Sequence, residues 1–428
     1  MVSAEQLART TLLFQTDLGI DPEVIIDALT ETRILLVADN EIIKTFIGQI
    51  AISTAAMLMA RSGHKVFIDT PDAALIGYQP PMNGDTFHHA ISNLKNQLID
   101  GIEITIGQPF EAANIAFVFG SGTTKKLRAN RIISVSWTDW SAKLIEGKQQ
   151  FSSNRGEWPI GALGAAVLAA AEAIKVPGRM LSSLSAHGAY FNDVFAPSVA
   201  TRLILAPDDT PQITQVGDFD IISAGAVSNA YLYCLMRIPR IVGKGRVFDK
   251  DVSAASNCNR NMLLVPQFIG LPKVDVFQYF APSVIIKSIA RHFSESDLSF
   301  LAERVVVGVD DIPTRWTLSR AQTKWLGVGA TSHFDSMTSV HFPRSACAGC
   351  LHPKDEPQMG PIPTIAFVSF LSGLMMTADF LRDLTNAGSS GVSRQQYLTA
   401  LQFKPWAGQV HPRMDCPAGC TASKAMAA

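Results

Sequence analysis

The sequence predicts an α/β protein in which two similar lobes share one chain. Residues 33–69 and 218–249 both follow the order strand, helix, strand, and each second strand ends in aspartate. Strands that alternate with helices favour a parallel sheet. A long apolar helix is predicted later in each half, at residues 161–175 and within 361–384. Because the same order of elements occurs twice, the sequence indicates a duplicated fold.

The predicted lobes meet in a polar stretch. Residues 206–212 read APDDTPQ, and a polar segment with two prolines is typical of a link between domains. We therefore place the first lobe at residues 1–205 and the second at 206–428. Residues 1–32 are predicted to be helical because apolar side chains recur there at helical spacing. These side chains are Leu7, Leu12, Leu13, Leu18 and Ile25.

The composition disfavours several classes of protein. The 428 residues carry a formal net charge of -1, so no electrostatic attraction to nucleic acid or to an anionic membrane is expected. Residues 161–175 are too few to span a membrane, and residues 363–381 interrupt their apolar run with Thr, Ser and Asp. Both stretches are predicted to be buried helices. The N-terminus lacks the apolar run of a signal peptide, so the cytoplasm is the expected location.

A turn of small residues follows the first strand of the second lobe. Ile221 and Ile222 belong to this strand, residues 223–228 read SAGAVS, and a helix comes next. This order is typical of the phosphate-binding half of a nucleotide fold. The equivalent residues 38–44 of the first lobe read ADNEIIK and contain no glycine. Because acidic side chains there would repel phosphate, we expect the first lobe to keep the fold without the nucleotide site.

A spaced set of acids, amides and cations follows that turn. Residues 249–260 read DKDVSAASNCNR, and residues 270–273 read GLPK. At Asp249, Asn257, Arg260 and Lys273 this pattern resembles the adenylation signature of the ThiF/MoeB family, which includes the ubiquitin-activating enzymes. The resemblance covers about residues 215–423, and the first half of the chain resembles the family only as a degenerate copy. It implies two Rossmann-like, ThiF-type lobes, of which the second is active.

The resemblance also implies ATP-dependent activation of a carboxylate. The carboxylate attacks the α-phosphate of ATP and pyrophosphate leaves, so fixed cations and Mg²⁺ stabilise the charge on the phosphate oxygens. Asp249 is implied to hold the ribose, Gly225 to let the backbone approach the phosphates, and Asp310 to bind Mg²⁺. The residues implied to grip the phosphates are Asn257, Arg260 and Lys273. The predicted catalytic residues are Arg260, Lys273 and Asp310.

The chain departs from the family pattern at a few positions. Ser223 and Ser228 replace two of the three motif glycines at the turn, and Gly225 is kept. Cys258 and Asn261 stand where the family has leucine and glutamine. The turn alone would also suit a dinucleotide-dependent oxidoreductase. The missing glycines and the run of amides and arginine count against that alternative.

Four of the six cysteines form two close pairs, Cys347 with Cys350 and Cys416 with Cys420. In a cytoplasmic chain such pairs favour a metal site over disulfides. They resemble the structural zinc site of the family, although the second pair is spaced by one residue more than usual. The resemblance implies a closed tetrahedral site of four thiolates, with four free thiols as the alternative.

The sequence leaves the step after adenylation open. Ubiquitin-activating enzymes pass the acyl group to a cysteine of their own, but residues 351–364, where the family usually places it, contain none. Cys234 is predicted to lie in the core, and Cys258 is a weak candidate nucleophile. The chain could stop at adenylation, pass the acyl group directly to a partner's thiol, or carry a replacement of the catalytic cysteine.

Related enzymes work as a pair in which the partner half brings an arginine to the phosphates. In this chain the first lobe could do so, and Arg9 is the nearest candidate. Its local pattern fits the family poorly. A solvated arginine on a helix is therefore the preferred interpretation.

The predicted function is adenylation of the C-terminal carboxylate of a ubiquitin-like protein, with ATP, Mg²⁺ and Zn²⁺ as cofactors. An inactive lobe fused to an active one resembles ubiquitin-activating enzymes and proteins of bacterial ubiquitin-like conjugation systems linked to phage defence. The expected partners are a ubiquitin-like protein and a ubiquitin-conjugating-like enzyme, and the chain is expected to be a monomer or a homodimer. Two alternatives stay open: adenylation of a sulfur-carrier protein or peptide, and a non-catalytic scaffold that binds a ubiquitin-like protein.

Overall fold

Two sheets organise the chain. The computed structural model describes residues 4–98, 100–120, 126–147, 156–355, 360, 362–385 and 391–427. Two helices, α1 (Ala4–Leu18) and α2 (Pro22–Glu31), come before the first sheet, as the apolar spacing predicted. The first sheet and its helices comprise β1 (Arg33–Ala38), α3 (Asn40–Ile43), α4 (Phe46–Arg61), β2 (Lys65–Asp69), α5 (Phe87–Lys95), β3 (Ile104–Ile106), β4 (Ile115–Phe119), β5 (Ile132–Trp137), β6 (Ser141–Glu146), α6 (Pro159–Leu184), α7 (Gly188–Val194) and β7 (Ala200–Ile204).

The second sheet begins eleven positions after β7 ends, at Gln215. Short 3-10 helices lie at Ala255–Asn257, Pro266–Phe268 and Glu295–Phe300. The second sheet and its helices comprise β8 (Gln215–Ile222), α8 (Ala226–Leu235), β9 (Val242–Phe248), α9 (Lys273–Phe280), β10 (Val284–Ile289), β11 (Arg304–Val307), α10 (Ile312–Ser319), β12 (Trp325–Ser332), β13 (Asp335–His341), α11 (Ala348–Leu351), α12 (Ala366–Leu384), β14 (Arg394–Thr399), β15 (Lys404–Gln409) and α13 (Thr421–Ala427).

The two sheets have the same topology. The first has the order β3-β2-β1-β4-β5-β6-β7, and the second has the order β10-β9-β8-β11-β12-β13-β14-β15. In both, the first five strands are parallel and the remaining strands are antiparallel. The second sheet differs by one added edge strand, β15. This confirms the predicted α/β class with two Rossmann-like lobes, whereas the boundary at residues 205/206 stays a prediction.

Apolar helices form a layer that the two lobes share. Helix α4 packs against α6, and α12 packs against both α8 and α6. Their buried side chains, which include Ala55, Leu163, Leu232 and Phe370, belong to one continuous core. Small residues let the helices approach closely, because a Cβ added to Gly373 of α12 would lie 2.5 Å from the Cβ of Ala230. A common core therefore fixes the position of one lobe relative to the other.

Helix α6 is longer than the sequence predicted. Residues 161–175 are only its middle, since the helix runs from Pro159 to Leu184 and contains Pro177. The expectation that this segment is too short to span a membrane was therefore wrong about its length. Among the described residues it is the one helix long and apolar enough to do so, yet 94% of its most apolar window is buried inside the structure. The burial indicates a core helix, as predicted.

Candidate active site

A cavity of about 720 Å³ opens at the carboxyl ends of three parallel strands in the second sheet. Ser223 and Gly225 follow β8, Asp310 follows β11, and Thr331 belongs to the end of β12. Between β8 and β11 the order of strands in the sheet reverses direction. Ligands of open α/β sheets bind in the crevice at such a switch point. The cavity is therefore the candidate active site.

The turn after β8 places a helix N-terminus in the cavity wall. Gly225 precedes the first residue of α8, and no side chain caps the amides of the first turn. Ser223 adopts a φ of 81°, its N–H donates to the carbonyl of Phe248 at 2.8 Å, and its Oγ accepts from the N–H of Gly225 at 3.1 Å. The left-handed residue is thus Ser223, at the first glycine position of the family motif. Gly225 has an ordinary φ of -72°, so its backbone conformation does not require glycine.

Asn257 and Arg260 line the cavity from the segment after β9. Asn257 accepts the backbone N–H of Ala254 with its Oδ1 at 3.0 Å. The Nη1 of Arg260 donates to the carbonyl of Ser256 at 2.5 Å and to the Oδ1 of Asn259 at 2.9 Å. Both acceptors are neutral, and no carboxylate within the described residues pairs with this guanidinium. Burial, and then the charge of Arg9, lower the pKa of Arg260 to about 10.

Lys273, the first residue of α9, also lines the cavity. Its Nζ forms an ion pair with the Oδ2 of Asp251 at 2.8 Å, with side-chain exposures of 15% for the lysine and 50% for the aspartate. The hydrogen bond from Lys273 lowers the pKa of Asp251. The ammonium group of Lys273 is therefore already paired with a carboxylate within the structure. An incoming phosphate would have to compete with Asp251 for the ammonium group.

Asp249 lies beside the cavity and supports the turn. Its Oδ2 accepts the N–H of Ala224 at 2.7 Å, and its Oδ1 accepts the N–H of Asp251 at 2.8 Å. Unlike the other predicted nucleotide-binding residues, it is absent from the cavity lining. The geometry therefore assigns it a clear role in holding the turn, and its contact with a ribose stays a prediction.

Two further arginines line the cavity and lie within electrostatic range of Asp310. Arg315 of α10 is buried and donates to the carbonyl of Val309 with Nε at 3.1 Å and Nη2 at 2.7 Å. Burial lowers the pKa of Arg315, and the charge of Asp310 acts in the opposite direction. Arg9 of α1 donates to the carbonyl of Ile362 at 3.0 Å, and burial lowers its pKa while Asp310 raises it.

The position of Arg9 differs from the preferred sequence interpretation. It is a half-buried part of the cavity wall, not a solvated arginine, although it belongs to the first lobe. The sequence also gave no role to Arg315, Thr331, His352 or Lys354, which line the same cavity. The only sequence signal for Arg315 is its place five residues after Asp310, in a helix that follows the end of β11.

The equivalent crevice of the first lobe is filled. Asp39 caps the short helix α3 by accepting the N–H groups of Glu41 and Ile42, each at 3.0 Å. The side chain of Ile42 covers Gly120 at the end of β4, where an added Cβ would lie 2.3 Å from the Cγ1 of Ile42. In the second lobe, Gly308 lies at the matching place and lines the open cavity. The sequence predicted repulsion by acidic groups, and the structure adds steric blockage by Ile42.

The four paired cysteines converge on one point. Their sulfur atoms all lie within 4.8 Å of one another, and all four side chains are buried. The Cys347–Cys416, Cys350–Cys420 and Cys416–Cys420 sulfur distances are 3.5, 3.6 and 3.9 Å. Thiolates bound to one tetrahedral zinc ion at about 2.3 Å would be about 3.8 Å apart. The cluster therefore fits the zinc site that the sequence predicted.

Zinc should be stoichiometric in the purified protein and should be lost in Cys347→Ser. Removal of one thiolate opens the tetrahedral site, and a structural zinc stabilises the fold that holds it. Metal content by plasma mass spectrometry and the Tm by calorimetry would check this. Cys234→Ala, which removes a buried thiol far from the cluster, should keep the zinc. Retained zinc in Cys347→Ser would refute this ligand set.

The remaining two cysteines have no access to solvent. Cys258 is 0% exposed, burial raises the pKa of its thiol, and its carbonyl accepts a hydrogen bond from Arg61. Cys234 is also 0% exposed, and burial raises the pKa of its thiol as well. Both observations favour core positions over a nucleophilic role, because the thiolate is the reactive form.

Two family models match the chain. A model of the BilD N-terminal domain matches residues 33–180, and a model of the ThiF family matches residues 224–418. No match was found among curated protein sequences.

Solved structures match at low similarity. A crystal structure of PaaA shows 12% identity and a TM-score of 0.37, and covers 45% of this chain and 64% of that chain, so the match spans less than two thirds of PaaA. Escherichia coli MccB with selenomethionine MccA shows 11% identity and a TM-score of 0.41. The match covers 68% of this chain and 97% of that chain. The same protein with MccA-N7isoASN shows 12% identity at the same score and coverage. The family assignment depends on the two family models: this chain carries a BilD N-terminal domain followed by a ThiF-family domain.

Proposed function

We propose that the protein uses ATP and Mg²⁺ to adenylate the C-terminal carboxylate of a ubiquitin-like protein. The observation that carries this proposal is the cavity at the switch point of the second sheet. It brings together Arg260 and Lys273 from the region after β9, Asp310 from the end of β11, and Arg9 from the first lobe. The ThiF-family match over residues 224–418 supports it.

The charges in the cavity suit a polyphosphate. Arg260 and Arg9 are both partly buried, yet their hydrogen-bond acceptors among the described residues are all neutral. Arg9 also lies close enough to Arg260 for its charge to lower the pKa of Arg260. Like charges held together at a cost in free energy would be stabilised by an anion bound between them. A triphosphate supplies that anion, and the uncapped N-terminus of α8 adds backbone donors.

The same residues would promote attack at the α-phosphate. The carboxylate oxygen forms a bond to the α-phosphorus while the bond to the bridging oxygen of pyrophosphate breaks, so negative charge moves onto the leaving group. Arg260, Lys273 and Arg9 would bind phosphate oxygens on which this charge gathers. Asp310 would hold Mg²⁺, which neutralises phosphate charge when bound. Asn257 would orient the phosphates with its amide.

Another part of the cavity lining suits a narrow polypeptide tail. Gly329, Ala330 and Thr331 line it from β12, and Thr364 and Ser369 line it near the start of α12. A Cβ added to Gly329 would lie 2.6 Å from the Cγ1 of Val227, so β12 packs closely against α8 here and position 329 carries no side chain into the site. A tail of small residues that ends in a free carboxylate fits such a wall. Ubiquitin-like proteins with a diglycine end have this chemistry.

The burial of all six cysteines bears on the step after adenylation. All six lie in the described residues, four of them in the predicted zinc cluster and two in the core. We therefore favour release of the acyl group directly to a nucleophile of a partner, such as the thiol of a ubiquitin-conjugating-like enzyme. A bacterial ubiquitin-like conjugation system is the proposed setting, and the BilD N-terminal match supports it.

Carboxylate-dependent exchange of labelled pyrophosphate into ATP tests the proposal. We expect exchange with a ubiquitin-like protein that ends in diglycine and none with the same protein amidated at its C-terminus. Exchange with a sulfur carrier alone would select that alternative. Tight binding without any exchange would select the scaffold, and binding of a nicotinamide cofactor instead of ATP would select an oxidoreductase.

A further inference from the structure

Two fully buried arginines connect the lobes in a nearly symmetric way. Arg61 is the last residue of α4 in the first lobe, and Arg237 lies two residues after the end of α8 in the second lobe. Both side chains are 0% exposed. Helices α4 and α8 hold equivalent places, since each connects the first two strands of its sheet. Arg61 donates to three backbone carbonyls of the opposite lobe, and Arg237 donates to one.

Arg61 binds the segment that carries the predicted phosphate ligands. Its Nη1 donates to the carbonyl of Cys258, and its Nη2 donates to the carbonyls of Met262 at 3.3 Å and Leu264 at 2.8 Å. In the sequence, Asn257 directly precedes Cys258, and Arg260 lies between Cys258 and Met262. A guanidinium group is planar and rigid, so it fixes the three carbonyls relative to one another.

The burial of this charge strengthens the link. Arg61 has no carboxylate partner among the described residues, and burial lowers its pKa to about 10, so it stays charged at neutral pH. A buried charge is tolerated when hydrogen bonds satisfy it. Movement of residues 258–264 away from Arg61 would remove those bonds and leave the charge buried without them. The segment is therefore held in one conformation.

Arg237 makes the reciprocal contact on the other side. Its Nη2 donates to the carbonyl of Pro80 at 2.6 Å, in the loop after β2, and its guanidinium lies 3.2 Å from the ring centroid of Tyr233. The crevice of that lobe is filled by Ile42. The two arginines are thus alike in burial and in bonding to the opposite lobe. They differ in the number of carbonyls bound there, three for Arg61 and one for Arg237, and in whether the bound segment belongs to an open site.

We propose that Arg61 is a positioning residue for the active site of the second lobe. Through it, the first lobe holds residues 257–264 so that Asn257 and Arg260 face the phosphates of ATP. This inference rests on the proposed function. It assigns the first lobe a second contribution to the site, in addition to Arg9.

Arg61→Lys and Arg237→Lys test this inference as a matched pair. Lysine keeps the charge but cannot bind three separated carbonyls as a planar fork. In pyrophosphate exchange, Arg61→Lys should raise the KM for ATP about tenfold and leave the KM for the ubiquitin-like protein within about twofold. Arg237→Lys should leave both unchanged. A merely structural role would reduce the active fraction, which lowers the apparent kcat without changing either KM.

An unchanged KM for ATP in Arg61→Lys would overturn the inference, and so would an equal rise in Arg237→Lys. Hydrogen exchange gives a readout that does not depend on activity. Amides of residues 258–264 should exchange faster in Arg61→Lys than in the wild type, while those of α10 should not. Unchanged exchange in that segment would also overturn the inference. A wild-type protein without ATP binding or pyrophosphate exchange would instead refute the proposed function.

Discussion

Arg260→Ala should lower the kcat/KM of pyrophosphate exchange by about 10²- to 10³-fold, because it removes a preorganised cation from the site where charge develops. The guanidinium is held by Ser256 and Asn259, so it needs little rearrangement before it binds phosphate. Its acceptors among the described residues are both neutral, so a bound triphosphate would supply the anionic partner that they do not. The measurement is the exchange rate at a range of ATP concentrations.

Arg291→Ala is the control for the loss of one positive charge. Arg291 is 52% exposed and pairs with Asp297, at 2.7 Å, away from the cavity lining. Exposed pairs of this kind contribute little to stability, so both activity and Tm should stay near wild type. Arg260→Ala should keep its Tm within a few degrees. Wild-type exchange by a folded Arg260→Ala protein would contradict the role of Arg260 at the phosphates.

The second lobe could be predicted in detail because its signals are local. The small residues of the turn, the spacing from Asp249 to Lys273 and the two cysteine pairs each lie within a short segment. Strand and helix positions follow from hydrophobic runs of the appropriate length. A parallel sheet then brings the carboxyl ends of β8 and β11 together, which places Asp310 near the turn. The repeat of this order in the first half also predicted a shared topology.

Contacts between the lobes could not be predicted in this way. Arg9 reaches the cavity because α1 packs near the segment after β9, where Asn259 donates to Thr10 at 3.3 Å. No local pattern around Arg9 encodes that contact. Likewise, the blockage by Ile42 depends on the short helix α3 after β1 packing against Gly120 at the end of the neighbouring strand β4. The length of α6 was underestimated because Pro177 is normally a sign that a helix ends.

Arg9→Gln should lower pyrophosphate exchange by about 10²-fold, since it removes a second fixed cation from the same phosphates. Glutamine retains N–H donors for the carbonyl of Ile362, and the backbone bond from Thr364 to the carbonyl of Arg9 is unaffected. A loss of exchange activity would therefore reflect the missing positive charge and not a change in the packing of α1. Gln15→Ala, an exposed change on the same helix, is the control and should leave exchange unchanged. Exchange at the wild-type rate in Arg9→Gln would exclude this arginine from the phosphate site.

A mixing experiment shows whether Arg9 acts within its own chain. In the structure, Arg9 and Arg260 of one chain line the same cavity. A mixture of Arg9→Gln and Arg260→Ala proteins should therefore stay as inactive as either variant, because every cavity lacks one cation. If two chains exchanged their first lobes in a homodimer, some mixed dimers would combine both cations in one cavity. Recovery of exchange activity after the two variants are co-expressed would place Arg9 in the site of a partner chain, contrary to this arrangement.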